Sequence, residues 1–424
     1  MPLLTRTTPM EVRRLRHEAV DAATLASAAQ IVQGVREGGD AALRGYAERF
    51  GDLAPGGVMI VERDGLRAAL DRLDRDERVV LERTATRIEA FAQAQRRAIV
   101  DVRVGVPGGE AGHTVSPVER AGCYAPGGRF PLPSSVLMTA ITARVAGVRD
   151  VIVASPKPVD ATLAAAAIAG ADRLLAVGGA HAIAALAYGT ATIEARDVIV
   201  GPGNRWVTAA KKLVSGQVGI DMLAGPSELL VLADESADAA TVAADLLAQA
   251  EHDTDAVPSL VTTSAALVDD VERELEQQLA TLPTAATARA ALANGCVVLC
   301  GTIEEAIGVA DALAPEHLEV MTRDAQGVAE RLKHYGGLFI GSHSAEVFGD
   351  YGVGPNHVLP TGGTARFTGG LSVLNFLRVR TWLRMDAAAG NRETLHAVAR
   401  DAAALGRIEG LEGHSRSAEQ RLPR

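Results

Sequence analysis

The sequence predicts an α/β protein built on doubly wound parallel sheets, with helical extensions at both ends. Three observations predict it. From residue 150 onward, short continuous apolar runs alternate with helical segments, the pattern of strands covered on both faces. The alternation comes in two series, one over residues 151–214 and one over 229–340. Aromatic residues make up only 3% of a chain that is 48% hydrophobic. Its core must then be assembled from small aliphatic side chains, which helices packed on parallel sheets allow.

The elements follow in order. With 424 residues the chain can build two or more packed units. Residues 9–50 read as helices; 22–36 carry apolar residues at helical spacing, and Gly38-Gly39 closes the segment. Residues 63–97 are helical and heavily charged, as a solvated hairpin of helices would be. Residues 101–124 hold β-like patches between Gly and Pro turns. Residues 151–154, 174–177 and 198–200 read as strands, with helices over 161–169, about 181–188 and 204–214. A second series of strands covers 229–232, 260–263, 297–299, 318–321 and 337–340, with helices between them. Two series imply two Rossmann-like domains with the active site at their junction. The expected partition has four parts. Residues 1–20 are an N-terminal helical extension. Residues 21–122 and 229–371 form a discontinuous first domain, 123–228 a second, and 372–424 a helical tail.

Composition excludes several classes. The net charge is −10, and the one basic cluster, Arg13-Arg14-Leu15-Arg16, reads as a solvated helix face, so no nucleic-acid partner is expected. Residues 1–10 show no apolar signal-peptide core. The longest low-charge run, 174–193, is broken by Gly178-Gly179 and His181 and reads as strand, loop and buried helix, so no membrane span is expected. Cys123, Cys296 and Cys300 make no disulfide framework, and a reducing cytoplasm is the expected compartment.

The candidate chemistry centres on Asp245-Leu-Leu-Ala-Gln-Ala-Glu-His252. This is the end of an amphipathic helix, and Gln249 and His252, three residues apart, lie on one side of it. An amide oxygen and an imidazole can share a metal such as zinc, although the same pair fits a helix end meeting water. Ala314-Pro-Glu-His-Leu318 puts a carboxylate beside an imidazole at a strand entrance, two groups suited to proton transfer. Those residues alone fit slightly better a turn capped by Glu316 with His317 packed beneath. The long glycine-rich stretch from Gly349 to Gly363 carries Asp350, a third candidate ligand, with Asn356 and His357. Gly201-Pro-Gly-Asn204 follows a strand and opens a helix, where backbone N–H groups favour an anion. Trp206 stands where the dinucleotide fingerprint has its third glycine. Tyr124-Ala-Pro-Gly-Gly128 permits close approach of a ligand and equally fits a tight turn. Glu409 and His414 sit near the C-terminus, where they matter only if that tail docks over a site.

Together these motifs resemble the histidinol dehydrogenase family. The resemblance is carried by Gln249-Ala-Glu-His252, Pro315-Glu-His317, Gly349-Asp-Tyr351, the run from Gly354 to Thr361, and Glu409 with His414. Tyr124-Ala-Pro-Gly-Gly128, Gly201-Pro-Gly-Asn204 and Ala224-Gly-Pro-Ser-Glu228 add to it, and the match covers nearly the whole chain. It implies a zinc- and NAD-dependent enzyme that oxidises L-histidinol through histidinal to L-histidine, the last step of histidine biosynthesis. It implies one zinc per subunit on Gln249, His252, Asp350 and His414, with catalysis by Glu316 and His317. The same resemblance implies substrate contacts from Ser227, Gln249, His252, His317, Asp350, His357, Glu409 and His414. It places Tyr124, His181 and Asn204 at the NAD site in the 123–228 domain, with most metal and catalytic residues in the other. Finally it implies a homodimer with shared active sites, the C-terminal tail crossing to the partner. One departure stands out: His181 occupies a position where the family usually has glutamine. The alternative is a relative with the same zinc and NAD chemistry acting on another small polar alcohol such as a sulfonated diol. Glu409 speaks for histidinol, since a carboxylate suits a cationic substrate and repels a sulfonate. A metal-dependent hydrolase without nicotinamide fits the glycine turns poorly.

Overall fold

A computed structural model describes residues 3–12, 20–127, 130–386, 388 and 391–423. The basic cluster at residues 13–16 and Gly128 of the first glycine turn lie outside these. The strands run, in chain order, β1 (Thr5–Thr7), β2 (Ile60–Glu62), β3 (Val102–Val106), β4 (Gly109–Pro117) and β5 (Arg120–Tyr124). They continue with β6 (Asp150–Ala154), β7 (Arg173–Leu175), β8 (Val198–Val200), β9 (Gly219–Ile220) and β10 (Glu228–Ala233). The last are β11 (Val257–Thr262), β12 (Cys296–Leu299), β13 (His317–Met321), β14 (Gly337–Ile340) and β15 (Leu377–Met385).

The chain divides into two compact units, one of residues 1–94 and 118–376, the other of 95–117 and 377–424. The first holds two six-stranded sheets. One has the order β1-β12-β11-β10-β13-β14 and is parallel throughout. The other has the order β2-β7-β6-β5-β8-β9, parallel except for β2. Both are doubly wound, as expected, because the central strands are apolar on both faces: β8 is entirely buried, and so are Leu229 to Ala233 of β10. The strand order reverses between β5 and β8 in one sheet and between β10 and β13 in the other. The second unit contains the antiparallel sheet β15-β4-β3 and the helices Arg392–Ile408 and Glu412–Glu419.

Four expectations need correction. Residues 21–122 were assigned to the sheet built from 229–371, but β2 pairs antiparallel with β7 and the helix Ala22–Arg49 packs on the helices Gly179–Tyr188 and Arg205–Val214. Residues 22–72 therefore belong with the β5–β9 sheet. A three-residue edge strand offers no periodicity to read, so its pairing is decided only in three dimensions. The helix Arg63–Arg72 is likewise no free hairpin arm: it packs on Asp160–Ile168. At the N-terminus, β1 adds a parallel edge strand to β12 before the short helix Pro9–Val12, so the extension is not purely helical. At the C-terminus, Leu377-Arg-Val-Arg-Thr-Trp-Leu-Arg-Met385 forms β15, paired along its length with β4, where only helix was expected. Its alternation of period two was legible and is the ordinary signature of a half-covered strand. Among the described residues no helix is long and apolar enough to cross a membrane.

Candidate active site

The helix Ile303–Leu313 ends on Ala314, whose φ of 51° is left-handed, and on Pro315, which cannot continue a helix. That turn delivers Glu316 and His317 to the start of β13, alongside the start of β10. The site therefore opens at the N-terminal ends of these strands. The crevice rule for doubly wound sheets points instead to their C-terminal ends. In the other sheet, Tyr124 and Gly201 lie at the C-terminal ends of β5 and β8, where its strand order reverses.

His317 is buried, and its Nδ1 lies 3.0 Å from the carbonyl oxygen of Glu228. A carbonyl only accepts, so Nδ1 carries the hydrogen and Nε2 is left as the basic nitrogen. Nε2 is buried without a hydrogen-bond partner among the described residues, 3.8 Å from Asp350 Oδ1. Burial pulls the imidazole below its usual value, with the Asp350 charge opposing, so the ring is neutral near pH 7 and ready to take a proton. Glu316 is also buried. Its Oε2 accepts the backbone N–H of Glu228 at 2.9 Å, and the Ser227 hydroxyl donates to the same carboxylate. Burial raises its carboxyl well above the carboxylate range, and the charges of Glu228 and Asp350 push the same way. A carboxylate held this way is a stronger base than one in water.

Gln249 is completely buried in the last turn of the helix Ala239–Ala250, and both polar atoms of its amide lack a partner among the described residues. Such an amide costs free energy unless something else binds it. His252 follows one turn later, its Nε2 3.6 Å from Asp350 Oδ2. His252, Glu346 and Asp350 each bring a ligand atom within 4.8 Å of the others. An imidazole and two carboxylates gathered this closely form a donor set that fits zinc or a neighbouring divalent ion, and the unpaired amide oxygen of Gln249 stands one helical turn before His252. Glu346 was missed from the sequence, although it sits four residues before Asp350 on the helix Glu346–Asp350, a spacing that places both on one side. His414 and Glu409 belong to the second unit, both exposed. The donors gathered here all come from the first.

His357 does not present a free ring. Its Nδ1 lies 2.9 Å from the Asp350 carbonyl oxygen and its Nε2 3.2 Å from the hydroxyl of buried Ser135. With both nitrogens engaged it ties the Asp350 segment to the helix Pro133–Ala146. Asn356 adds a second tie, donating to the Met138 carbonyl at 2.8 Å.

Behind the metal candidates lies an acidic cluster that the sequence reading also missed. Glu319, in the middle of β13, touches Asp245, and its Oε1 accepts the backbone N–H of Glu346 at 2.7 Å. A charged residue inside an apolar strand was the available signal. Burial pushes the Glu319 carboxyl up to about 8 and Asp245 up to about 6, and burial with four neighbouring acids raises Glu346 well above its usual value. Carboxyls raised in the folded state hold protons that the unfolded chain releases. Their stability contribution is complete at acid pH and is lost as pH climbs through about 6 and about 8. Glu319→Gln keeps an acceptor for Glu346 and a donor for Asp245 without the charge. It should raise the melting temperature of the metal-free protein by roughly 1–3 °C at about pH 8.5 and leave it unchanged at about pH 5.5. Equal shifts at both pH values would show that these carboxyls are not the protonated groups.

At the turn after β8, Gly201 has φ 118°, and a Cβ there would lie 2.0 Å from the Tyr124 carbonyl oxygen, so only glycine fits. Asp221 accepts the Gly201 N–H at 2.7 Å and pairs with buried Lys211, which also donates to the Gly201 carbonyl at 3.1 Å. The carboxamide oxygen of Asn204 caps the helix Arg205–Val214, accepting from Trp206 and Val207. Tyr124 Oη accepts the Gly179 N–H at 3.1 Å. His181 is 3% exposed, and its Nε2 lies 3.0 Å from Asp52, which also accepts the Gly178 N–H at 2.8 Å. Its ring thus engages Asp52 at the start of the helix Gly179–Tyr188, a partner the sequence reading did not foresee.

Comparison with known proteins identifies the family. The profile of the Histidinol dehydrogenase family matches residues 14–422. The chain is 49% identical to histidinol dehydrogenase of Thermus thermophilus over 392 residues, 92% of this chain and 93% of that one. It is 45% identical to histidinol dehydrogenase of Aromatoleum aromaticum over 409 residues, 95% of this chain and 92% of that one. The crystal structure of histidinol dehydrogenase from Elizabethkingia anophelis superposes with a TM-score of 0.90 at 30% identity, covering 99% of this chain and 98% of that one. A match that runs through both sheets and every motif quoted above has one meaning: this chain belongs to the histidinol dehydrogenase family of oxidoreductases.

Proposed function

We propose that the chain oxidises L-histidinol to L-histidine in two successive steps, with zinc held by the candidate ligands and NAD as the oxidant. One observation supports the reading: a buried imidazole and a carboxylate of raised basicity at the start of β13 lie beside the cluster of His252, Glu346 and Asp350, His317 Nε2 being 3.8 Å from Asp350. Gln249, His252 and Asp350 would hold the metal, with His414 as fourth ligand. When bound, zinc supplies a Lewis-acidic anchor for the substrate nitrogens, and NAD accepts a hydride in each step.

The residues of the chain divide the proton transfers. Nε2 of His317 takes the alcohol proton as hydride leaves the carbinol carbon. Its Nδ1–H bond to Glu228 keeps the ring aimed throughout. Glu316 then takes a proton from the water that adds to the aldehyde while His317 returns its proton to the carbonyl oxygen, and His317, neutral again, serves as base when the hydrated aldehyde loses its hydride. Ser227, bonded to Glu316, and Glu409 are positioned by their motif to contact substrate. Tyr124, Asn204 and the Gly201 loop would receive the dinucleotide, with Asn204 offering its amide N–H groups because its oxygen is taken. We place His181 one step from the cofactor, acting through Asp52.

A homodimer with shared sites accounts for His414 and Glu409, supplied by a second copy of the chain. Exposed apolar side chains support it on both units: Phe348, Tyr351 and Val353 next to Asp350, and Leu383, Leu405, Ile408 and Leu411 in the second unit. The test is NADH formation with L-histidinol, two NADH per substrate, against a panel of small diols. A rate found only with a diol would overturn the substrate. A mixture of His317→Asn and His414→Ala chains, each inactive alone, should recover part of the activity if sites are shared. No recovery would sink the shared site.

A further inference from the structure

Glu228 opens β10, and nothing so far gives its side chain a function. It makes three hydrogen bonds with the catalytic segment and a fourth with Gly362. Its backbone carbonyl accepts Nδ1–H of His317 at 3.0 Å, and its backbone N–H donates to Glu316 Oε2 at 2.9 Å. Its carboxylate oxygens divide: Oε2 accepts the backbone N–H of Glu316 at 3.3 Å, and Oε1 accepts the N–H of Gly362 at 2.9 Å. One residue thus grips the main chain and the side chain of Glu316, the ring of His317, and the loop that carries Asp350 and His357. Gly362 has φ 63°, and Thr361 beside it accepts the Gly225 N–H at 2.5 Å, so the loop is fixed on both sides of the same strand entrance.

We propose that Glu228 is a positioning residue for this reaction, and that its two carboxylate oxygens hold Glu316 and the Gly362 loop in one register. The inference rests on the roles given above to Glu316 and His317. The chemistry explains why a carboxylate stands there. Two backbone N–H groups converge on it, and a carboxylate offers an acceptor to each. Glutamine offers one acceptor and turns an amide N–H₂ toward the other N–H, so one bond is lost and two donors face each other. Aspartate, one methylene shorter, cannot span both. Either change lets Glu316 and His317 drift while the strand stays paired through its backbone. Burial pushes the Glu228 carboxyl up to about 7, so a neutral replacement removes a group that is costly to bury.

The experiment compares E228Q, E228D, E316Q and H317N as zinc-loaded enzymes, with single-turnover rates for the alcohol and aldehyde half-reactions and melting temperatures. E228Q should lose about 10- to 100-fold in kcat, with the KM values for histidinol and NAD within about twofold of wild type. Its melting temperature should be equal or higher. E228D should show the same split, and it decides the matter if E228Q does not fold. Wild-type kcat in E228Q or E228D beside defective E316Q and H317N overturns this inference alone. Wild-type rates in E316Q and H317N overturn the site reading beneath it. A parallel loss of kcat, affinity and melting temperature in both Glu228 variants would make Glu228 a merely structural residue and overturn the inference too.

Discussion

His317→Asn should slow both oxidations by about 10³-fold while the KM values for histidinol and NAD stay within a few-fold of wild type. Asparagine fills similar space and its amide can still donate to the Glu228 carbonyl, so the fold and the binding surface survive. What disappears is Nε2, a neutral base whose proton affinity has been lowered by burial and partly restored by Asp350. A base used in both steps must show in both half-reactions. Glu316→Gln is the contrasting variant. It keeps an acceptor for the Glu228 N–H and loses the base that activates water, so the aldehyde step should suffer about 10²-fold and the alcohol step much less. Single-turnover NADH formation from histidinol and from histidinal checks both. Equal slowing of the two half-reactions by both variants would refute the division of labour.

Asp350→Ala should strip the metal and with it the turnover. Asp350 lies within reach of both His252 and His317, and it anchors the loop through the bond from its carbonyl to His357. Loss of an outer-shell partner of a metal site costs about 10- to 100-fold in affinity, and loss of a charged ligand should exceed that. The measurement is metal content per subunit after dialysis, together with NADH formation. Full activity after exhaustive chelation, or an Asp350→Ala enzyme that retains its metal, would rule out this residue as a ligand. Removing Gln249 should have a second visible effect. Gln249→Leu leaves no buried unsatisfied amide, so the metal-free protein should become more stable even as it loses metal. A less stable metal-free variant would show that the amide is satisfied in some other way.

Much of the molecule could be read directly. The strands that form the centres of both sheets were legible because each is a short apolar run buried on both faces, and such runs look alike in any context. The pair Glu316 and His317 was legible as a chemical possibility, but those residues alone fitted a capped turn slightly better. The structure shows why they are more than that: Nε2 of His317 is buried and unpaired, and Glu316 is held by Glu228 and Ser227. Glu346, Glu319 and Asp245 went unread as a group because they lie on three separate elements, and only folding makes them neighbours. The assignment of residues 22–72 failed for the same reason at larger scale, since β2 has three residues and its partner β7 is more than a hundred positions away.

The sequence by itself determined that this chain forms doubly wound parallel sheets, that its motifs belong to one family, and which side chains are able to bind a metal or move a proton. Those properties are local: they depend on the periodicity of apolar residues and on the chemistry of single side chains. Tertiary structure decided that the site opens at the starts of β10 and β13, which tautomer His317 adopts, and which carboxyls are buried against one another. These depend on burial and on distances between residues remote in the chain. Desolvation and hydrogen bonding act through space, and residue order alone does not specify the distances on which they act.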